Sequence, residues 1–462
     1  MFLKIANGLG GWVLAVYGVG MALPLWFLTG CASYHTLPLN DRLPGMAQVA
    51  QKIATALHRE PPVSSTRAVN LHAPLSGETL GELAVLLNPD LRAMRAQIGV
   101  AQAQVFAAGL LPDPRLALSA DLPSDVVSGY YNAYSIGLSW SLASLFTRSA
   151  NLHIAQAQAR AVHYQVAWQE WLIANQTRIL ARRLYYLRQQ ETVAKTAAST
   201  TDRFYLVSAE NLRRGDATIT TTTLRQIAWL DSRDRQLALR RQVTKVRYDL
   251  NKSMGLPPQM RVPLRAPHLL SEVPDTAHLV ALADSHRLDL LALRAGYTAQ
   301  EARVRRAILG QYPGFTIGIS RAADTSNIQT IGPSLSLDIP LWNRNRGVIA
   351  ESEATRAQLR AAYTARLFQT RAEISALVAD LHRLRQEIRP LEQQVPQLQR
   401  AERQLRGAAA EHNVTLIDYE TVRSQALAKN LQLLALKQAD AEQQAALEMA
   451  VGLPWQQWAT RR

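Results

Sequence analysis

Side chains able to do chemistry are few and widely spaced in this chain, and the scarcest is a thiol: Cys31 is the one cysteine among 462 residues. A single thiol closes no intrachain disulfide, builds no iron–sulfur cluster and completes no multi-cysteine zinc site. Ten histidines are present, but His268, His278 and His286 lack the spacing that would gather a metal ion. No His-Glu-x-x-His, Gly-x-Ser-x-Gly or phosphate-loop pattern occurs, and the carboxylates fall in helix-like, solvated stretches, so an enzyme is not expected. The 51 Lys and Arg against 36 Asp and Glu leave a net charge of +15, which raises nucleic acid as a partner. The arginines are dispersed, however: Arg178, Arg182, Arg183 and Arg188, then Arg213 and Arg214, then Arg240 and Arg241, interleaved with Glu, Asp and Gln. Such interleaving reads as solvated helix faces, no RNA-binding aromatic motif accompanies it, and no nucleic-acid partner is expected.

The setting of the thiol is informative. Lys4 precedes an apolar run over residues 12–28, broken only by small residues and Pro24, which leads into Leu28-Thr29-Gly30-Cys31. A run of ~20 apolar residues could also span a bilayer, but small residues directly before a cysteine favour cleavage. The tetrapeptide resembles the lipobox of bacterial lipoproteins. That resemblance implies that residues 1–30 are a lipoprotein signal peptide and that Cys31 becomes the first mature residue, carrying a covalent diacylglycerol and palmitate. Ala32 stands where that class uses Asp for inner-membrane retention, which implies an outer-membrane destination. No cofactor beyond this lipid is expected. Acyl chains contribute about 0.8 kcal/mol per buried methylene, enough to tether the chain without explaining the rest of it.

Beyond the leader the chain repeats. Asp90-Leu91-Arg92-Ala93-Met94-Arg95-Ala96 has a counterpart 199 residues on in Asp289-Leu290-Leu291-Ala292-Leu293-Arg294-Ala295. Met254-Gly255-Leu256-Pro257 recurs 197 residues on as Val451-Gly452-Leu453-Pro454, and Ile136-Gly137 recurs 195 residues on as Ile331-Gly332. Markers in one order at nearly one offset argue for duplication. The organisation read from them is a lipidated leader 31–79, a first repeat 80–257, a connector 258–277, a second repeat 278–454 and a tail 455–462.

Each repeat holds two segments that alternate large apolar with small polar residues, the period of a strand with two unlike faces. In the first they are Leu116-Ala117-Leu118-Ser119-Ala120 and Tyr134-Ser135-Ile136-Gly137-Leu138-Ser139-Trp140-Ser141-Leu142; in the second, Phe315-Thr316-Ile317-Gly318-Ile319-Ser320 and residues 331–341. Pro333 and Pro340 are expected at strand ends or a bulge. Tyr130, Tyr131, Tyr134 and Trp140 near the ends resemble the aromatic girdle of a membrane β-barrel. Four strands cannot close a barrel, and open edges in lipid cost several kcal/mol per unpaired group, so strands that enter lipid require several copies of the chain. The alternative is a soluble sheet packed on helices.

Helical stretches are predicted over 145–212, 217–252, 347–409 and 416–449, rich in Ala, Gln, Leu and Arg and nearly free of Gly, with coiled-coil-like spacing at Leu224, Ile227, Leu230 and Leu237. Some sixty helical residues would reach about 90 Å, beyond any globular core. Pro390 and Pro396 are expected to bend or interrupt the third stretch. Tight reversals are placed at Arg214-Gly215-Asp216 and at Glu411-His412-Asn413.

The duplication, lipobox, paired strands and long hairpins together resemble the TolC-like outer-membrane efflux proteins over residues 80–454. Gly109-Leu110-Leu111-Pro112-Asp113-Pro114 and Ile339-Pro340-Leu341-Trp342-Asn343-Arg344-Asn345-Arg346-Gly347-Val348-Ile349-Ala350 resemble the heavy-metal-resistance (cobalt-zinc-cadmium) branch. The resemblance implies a mainly α fold with a small β part: a homotrimer whose four strands per chain close a 12-stranded outer-membrane β-barrel above a periplasmic α-barrel. It also implies partners, a periplasmic adaptor (membrane fusion) protein and an inner-membrane pump of the RND type, and passive conduction of heavy-metal cations as the function.

By the same resemblance Asp418 occupies the place of a tip acid that constricts the family's tunnel, and three copies would converge there to filter and gate cations. The alternative role for Asp418 is a first-turn acid favoured by the helix dipole. The position 197 residues earlier is Thr221, and a further expected acid falls on Thr421, so Glu420 and Glu411 are the substitute gate candidates. Arg214, Gly215, Asp216, His412 and Asn413 are the adaptor-docking candidates; Gly215 has His412 as its counterpart, so the tips need not dock alike. Two further hypotheses stand beside the cation duct: a drug or small-organic duct of the same architecture, and a lipid-tethered periplasmic coiled-coil scaffold without a pore.

Overall fold

The computed structural model describes residues 34–39, 73–124, 129–411 and 413–458. The chain divides into two units, 1–48 and 49–462. The described part of the first, residues 34–39, is exposed and has no regular structure. Cys31, the apolar run 12–28, most of the leader, His412 and residues 459–462 lie outside the described residues.

In the second unit one element order occurs twice. The first set is α1 (Gly77–Leu87), α2 (Pro89–Gly109), β1 (Arg115–Asp121), β2 (Ala133–Ser141), α3 (Ala143–Arg214) and α4 (Ile219–Ser253). The second is α5 (Thr276–His286), α6 (Leu288–Leu309), β3 (Gly314–Ala323), β4 (Gln329–Asp338), α7 (Arg346–Ala410) and α8 (Leu416–Val451), followed by a 3-10 turn at Trp455–Gln457. Helix α3 has 72 residues with no Gly or Pro, which at 1.5 Å per residue extends about 110 Å. The short helices start on local signals. Ser76 accepts from the Thr79 amide, Asn88 accepts from the amides of Asp90 and Leu91 with Pro89 at the first helical position, and Asp275 accepts from Ala277 and His278.

Equivalent cores seat the two repeats. Leu80, Leu83 and Ala84 of α1 pack with Leu184, Leu187, Leu250 and Met254, while Leu279, Leu282 and Ala283 of α5 pack with Ile374, Val378, Leu447 and Val451. The duplicated glycines have one shared reason. Gly255 (φ 63°) and Gly452 (φ 80°) sit in the left-handed region, and a Cβ would lie 3.0 Å from the Leu87 carbonyl oxygen in the first case and 3.2 Å from Arg287 Cα in the second. Each glycine lets the end of a long helix approach the break between the two short ones. Across that approach Asn88 Nδ2 donates to the Ser253 carbonyl (2.8 Å), and Arg287 donates to the Ala450 carbonyl (2.7 Å), the acceptors being 197 residues apart.

Two expectations need correction. Helix α7 runs unbroken through Pro390 and Pro396, so the prolines do not interrupt it. Both prolines are on the exposed side, where water can serve the carbonyls they orphan, while Ile388, Leu391 and Val395 on the other side pack against Leu433 of α8 and hold the helix. Pro333 lies inside β4, opposite Ile319, and not at a strand end; β4 is an outer strand of the sheet and tolerates a missing donor. Pro340 follows the end of β4 as expected.

Candidate functional site

The strands form one antiparallel sheet in the order β1-β2-β3-β4, with β2 pairing β3 across the repeat boundary. Register fixes what each face carries. One face has the rows Ala117–Gly137–Ser320–Gly332 and Arg115–Ser139–Gly318–Ser334; the other has Leu116–Leu138–Ile319–Pro333 and Trp140–Ile317–Leu335. The apolar face is uncovered: Leu118 is 68% exposed, and Leu116, Ile136, Leu138, Ile319, Ile331 and Leu335 are also exposed. This reverses the burial of a soluble sheet, in which the apolar side is the covered one. Arg321 is the charge on that face; it lies near the loop end of β3 and donates to Gln329 Oε1 at the start of β4 (2.7 Å).

Aromatic residues bracket the apolar rows. Tyr130, Tyr131 and Tyr134 stand at one end of β2, and Trp140, Phe315 and the 90% exposed Trp342 stand at the other. Tyr134 to Trp140 spans about 20 Å of strand, which at the roughly 35–45° tilt of outer-membrane barrel strands covers about 15 Å of height and fits within their ~25 Å apolar band. The Trp140 indole donates to the Pro112 carbonyl (2.8 Å), which fixes the ring at the strand end. Among the described residues β1 and β4 have no strand on their outer sides, leaving two ladder edges open. No described helix is long and apolar enough to cross a membrane.

The helix turns lie at the far ends of α3 and α7. At the first, Gly215 (φ 84°) closes α3, the Asp216 amide donates to the Asn211 carbonyl (2.8 Å), and Arg214 pairs with Glu210. At the second, the Asn413 amide donates to the Ala408 carbonyl (2.8 Å), and the Asn413 side chain donates to Glu411. Each following helix is capped by a threonine, Thr218 over Thr221 and Thr415 over Asp418, at the same 197-residue offset. Asp418 completes a reciprocal cap, its amide bonding Thr415 Oγ1 while its carboxylate accepts from the Thr415 hydroxyl (2.6 Å). It remains exposed, as does Glu411.

Glu420 is not exposed with them. It is half-buried on α8, facing Arg225 of α4 (3.4 Å). Burial pushes its carboxyl above the usual carboxylate range, and the opposing pull of Arg225 and Arg423 does not compensate. The structure therefore separates the gate candidates into two exposed acids at the helix turn and one half-buried, arginine-paired acid.

Tyr419 was missed by sequence reasoning. Its buried hydroxyl donates to Glu402 Oε1 (3.1 Å) and accepts from Arg406 and Arg423 (3.3 Å each). Arg423 also donates to Thr200 Oγ1 on α3, so one cluster bolts α7, α8 and α3 together one turn from the tip. The signal available was an aromatic residue among helical arginines, which by itself does not declare a partner.

A second bolt lies deeper. Glu448 of α8 is 1% exposed and meets Arg178 (2.9 Å) and Arg182 (3.4 Å) of α3; Glu78 of α1 reaches the same arginines. Burial pushes the Glu78 carboxyl up, yet its backbone hydrogen bond together with Arg178 and Arg182 holds it below the usual range. The three histidines singled out in the sequence make local contacts. His268 stacks on Trp455, His278 Nε2 is 3.0 Å from the Trp458 carbonyl, and His286 bonds Ser285. Among the described residues no group of three or more His, Cys, Asp or Glu could hold a metal ion.

With this geometry in hand, comparison with known proteins is specific about fold. CusC superposes with a TM-score of 0.66 at 16% identity, over 85% of this chain and 96% of that one. The outer membrane protein VceC from Vibrio cholerae gives 0.66 at 19% identity, over 82% and 96%. The outer membrane channel CmeC from Campylobacter jejuni gives 0.68 at 13% identity, over 91% and 95%. No curated protein matches the chain in sequence. Residues 80–256 match the family described as outer membrane efflux protein, and the chain as a whole has the TolC-like channel fold of these structures.

Proposed function

We propose that the chain is the outer-membrane duct of a tripartite efflux system, passively conducting its cargo outward with energy supplied by an inner-membrane pump of the RND type through a periplasmic adaptor. The observation that carries this reading is the sheet: an uncovered apolar face, an opposite face of small and polar residues, aromatic residues at both ends and two open edges. Lipid covers such a face, and only strands from sister copies satisfy such edges. Three copies at four strands each reach 12, above the minimum of about 8 known for closed barrels. In the trimer the long helices continue the wall into the periplasm, with the exposed Asp418 and Glu411 near the entrance and Arg214, Gly215, Asp216, His412 and Asn413 as the adaptor-facing turns. Cys31 is the site of lipid attachment and anchors the chain to the outer membrane.

Heavy-metal cations are the proposed cargo, supported by the resemblance of residues 339–350 to the metal-resistance branch and by the acids at the tip. The organic-efflux alternative shares every structural element, and resistance assays separate the two. A strain lacking the protein becomes sensitive to Zn, Co, Cd, Cu or Ag salts on the first reading; selective sensitivity to dyes and antibiotics rejects it. Purified protein reconstituted in planar bilayers tests the duct itself. Uniform conductance steps are expected, whereas silence from assembled particles favours the pore-free scaffold. Cys31→Ser abolishes incorporation of labelled palmitate while leaving assembly intact, because the strands insert independently of the anchor.

A further inference from the structure

Part of the positive charge dispersed along the sequence converges in space. Arg188 and Lys195 of α3, Arg240 and Arg247 of α4, and Arg261 of the connector line one open cavity of about 820 Å³, with Glu191 its single carboxylate. The remaining wall is Thr192, Gln236, Val243, Thr244, Val262 and Pro263. Among the described residues none of the five cations forms an ion pair, although arginines elsewhere in the helical body do: Arg178 and Arg182 with Glu448, Arg183 with Glu442, Arg385 with Asp440. Arg188 donates to the Val262 carbonyl (3.3 Å), and Arg247 lies over the ring of Tyr248. Arg247 Nε is buried with no hydrogen-bond partner.

Such a cluster carries an unpaid electrostatic cost. Burial and the neighbouring Arg247 and Arg261 guanidiniums hold Arg188 below the usual arginine range, and Glu191 offsets this only in part. It remains protonated, so the repulsion persists at every physiological pH. Five cations against one carboxylate leave a net +4 in a cavity of ligand size. A monovalent anion would leave most of that charge standing.

We propose that this cavity is a binding site for a multivalent oxyanion, a molecule with two or more adjacent phosphate or carboxylate groups that the guanidinium forks of α3, α4 and the connector grip together. Guanidinium planes match both group types in bidentate fashion. An anion there joins three segments that otherwise repel, bracing the connector against the long hairpin. The site is independent of what the duct conducts.

The test is isothermal titration of the purified full-length protein in detergent, at constant ionic strength, with sodium tripolyphosphate, citrate and inorganic phosphate as probes. One saturable site per chain is expected, with tripolyphosphate or citrate binding at least tenfold tighter than inorganic phosphate; the tighter of the two tells whether phosphate or carboxylate is the natural form. Arg247→Gln combined with Arg261→Gln weakens binding at least tenfold, and Arg383→Gln, an exposed arginine of α7 paired with Asp380, leaves it unchanged. Glu191→Gln has the opposite sign, tightening binding several-fold, and it decides the matter if the double variant fails to fold. Absence of saturable binding, equal affinity in the double variant, or weaker binding in Glu191→Gln overturns the proposal.

Discussion

Placing an arginine on either face of β2 gives opposite outcomes if the sheet lines a barrel in lipid. Leu138 lies between Leu116 and Ile319 on the apolar face, and Ser135 lies between Ser119 and Ala322 on the small, polar face. Leu138 is one residue, about 3.3 Å, from the midpoint between Tyr134 and Trp140, so a charge there meets nearly the full midplane penalty. Leu138→Arg therefore costs about 2–4 kcal/mol per chain, and about 6–12 kcal/mol for a barrel that takes strands from three copies. Ser135→Arg faces a watery interior, where its charge stays solvated and carries no such penalty. The assay is urea unfolding of protein refolded into lipid vesicles, with the heat-resistant oligomer on gels as a second readout. Leu138→Arg should lower the midpoint and deplete the oligomer while Ser135→Arg leaves both near wild type. Equal effects, or a Leu138→Arg protein that assembles normally, would refute the reasoning, because a face covered by protein or water does not distinguish the two positions in this way.

Three other outcomes follow from the helical body. Glu448→Gln leaves Arg178 and Arg182 without their buried carboxylate and should cost about 3–5 kcal/mol in denaturant unfolding; a loss under about 1 kcal/mol would mean that Glu78 alone neutralises both. Tyr419→Phe removes a hydroxyl shared by Glu402, Arg406 and Arg423 and should cost about 1–3 kcal/mol, with faster amide exchange confined to the ends of α7 and α8; unchanged exchange there would deny Tyr419 its bolting role. Glu420 has its carboxyl raised in the folded state, so the folded chain binds that proton more tightly than the unfolded one, and the associated stability is present at low pH and lost as pH rises through the folded value. Glu420→Gln should accordingly melt higher than wild type at neutral pH, with the gap closing on acidification; a gap that widens in acid would reverse the sign assigned to burial.

The long helices and the strands were legible because their signals are local and redundant. Residues 143–214 contain no Gly or Pro, and β2 alternates through its whole length. Helices α1, α2, α5 and α6 were not recognised as elements, although Asn88-Pro89-Asp90 and Asp275 carry start signals, because short apolar stretches beside longer ones give a weak period. The prolines of α7 misled because a proline's effect depends on whether its orphaned carbonyl faces water, a property of the tertiary packing. The same holds at the candidate site. Asp418 and Glu420 are two residues apart in sequence yet face different surroundings, and Tyr419 becomes a hub only through Thr200, Glu402, Arg406 and Arg423. The basic cavity gathers Arg188 with Arg247 and Arg261, residues too distant along the chain for any charge window to join.

Counting the chains that share one bilayer-inserted particle tests the central claim most directly. Native mass spectrometry of the protein released from lipid nanodiscs should give three chains per inserted particle, the number whose four strands each close the proposed 12-stranded barrel. One chain per disc, or a water-soluble single copy whose apolar face is covered by its own helices, would contradict the account.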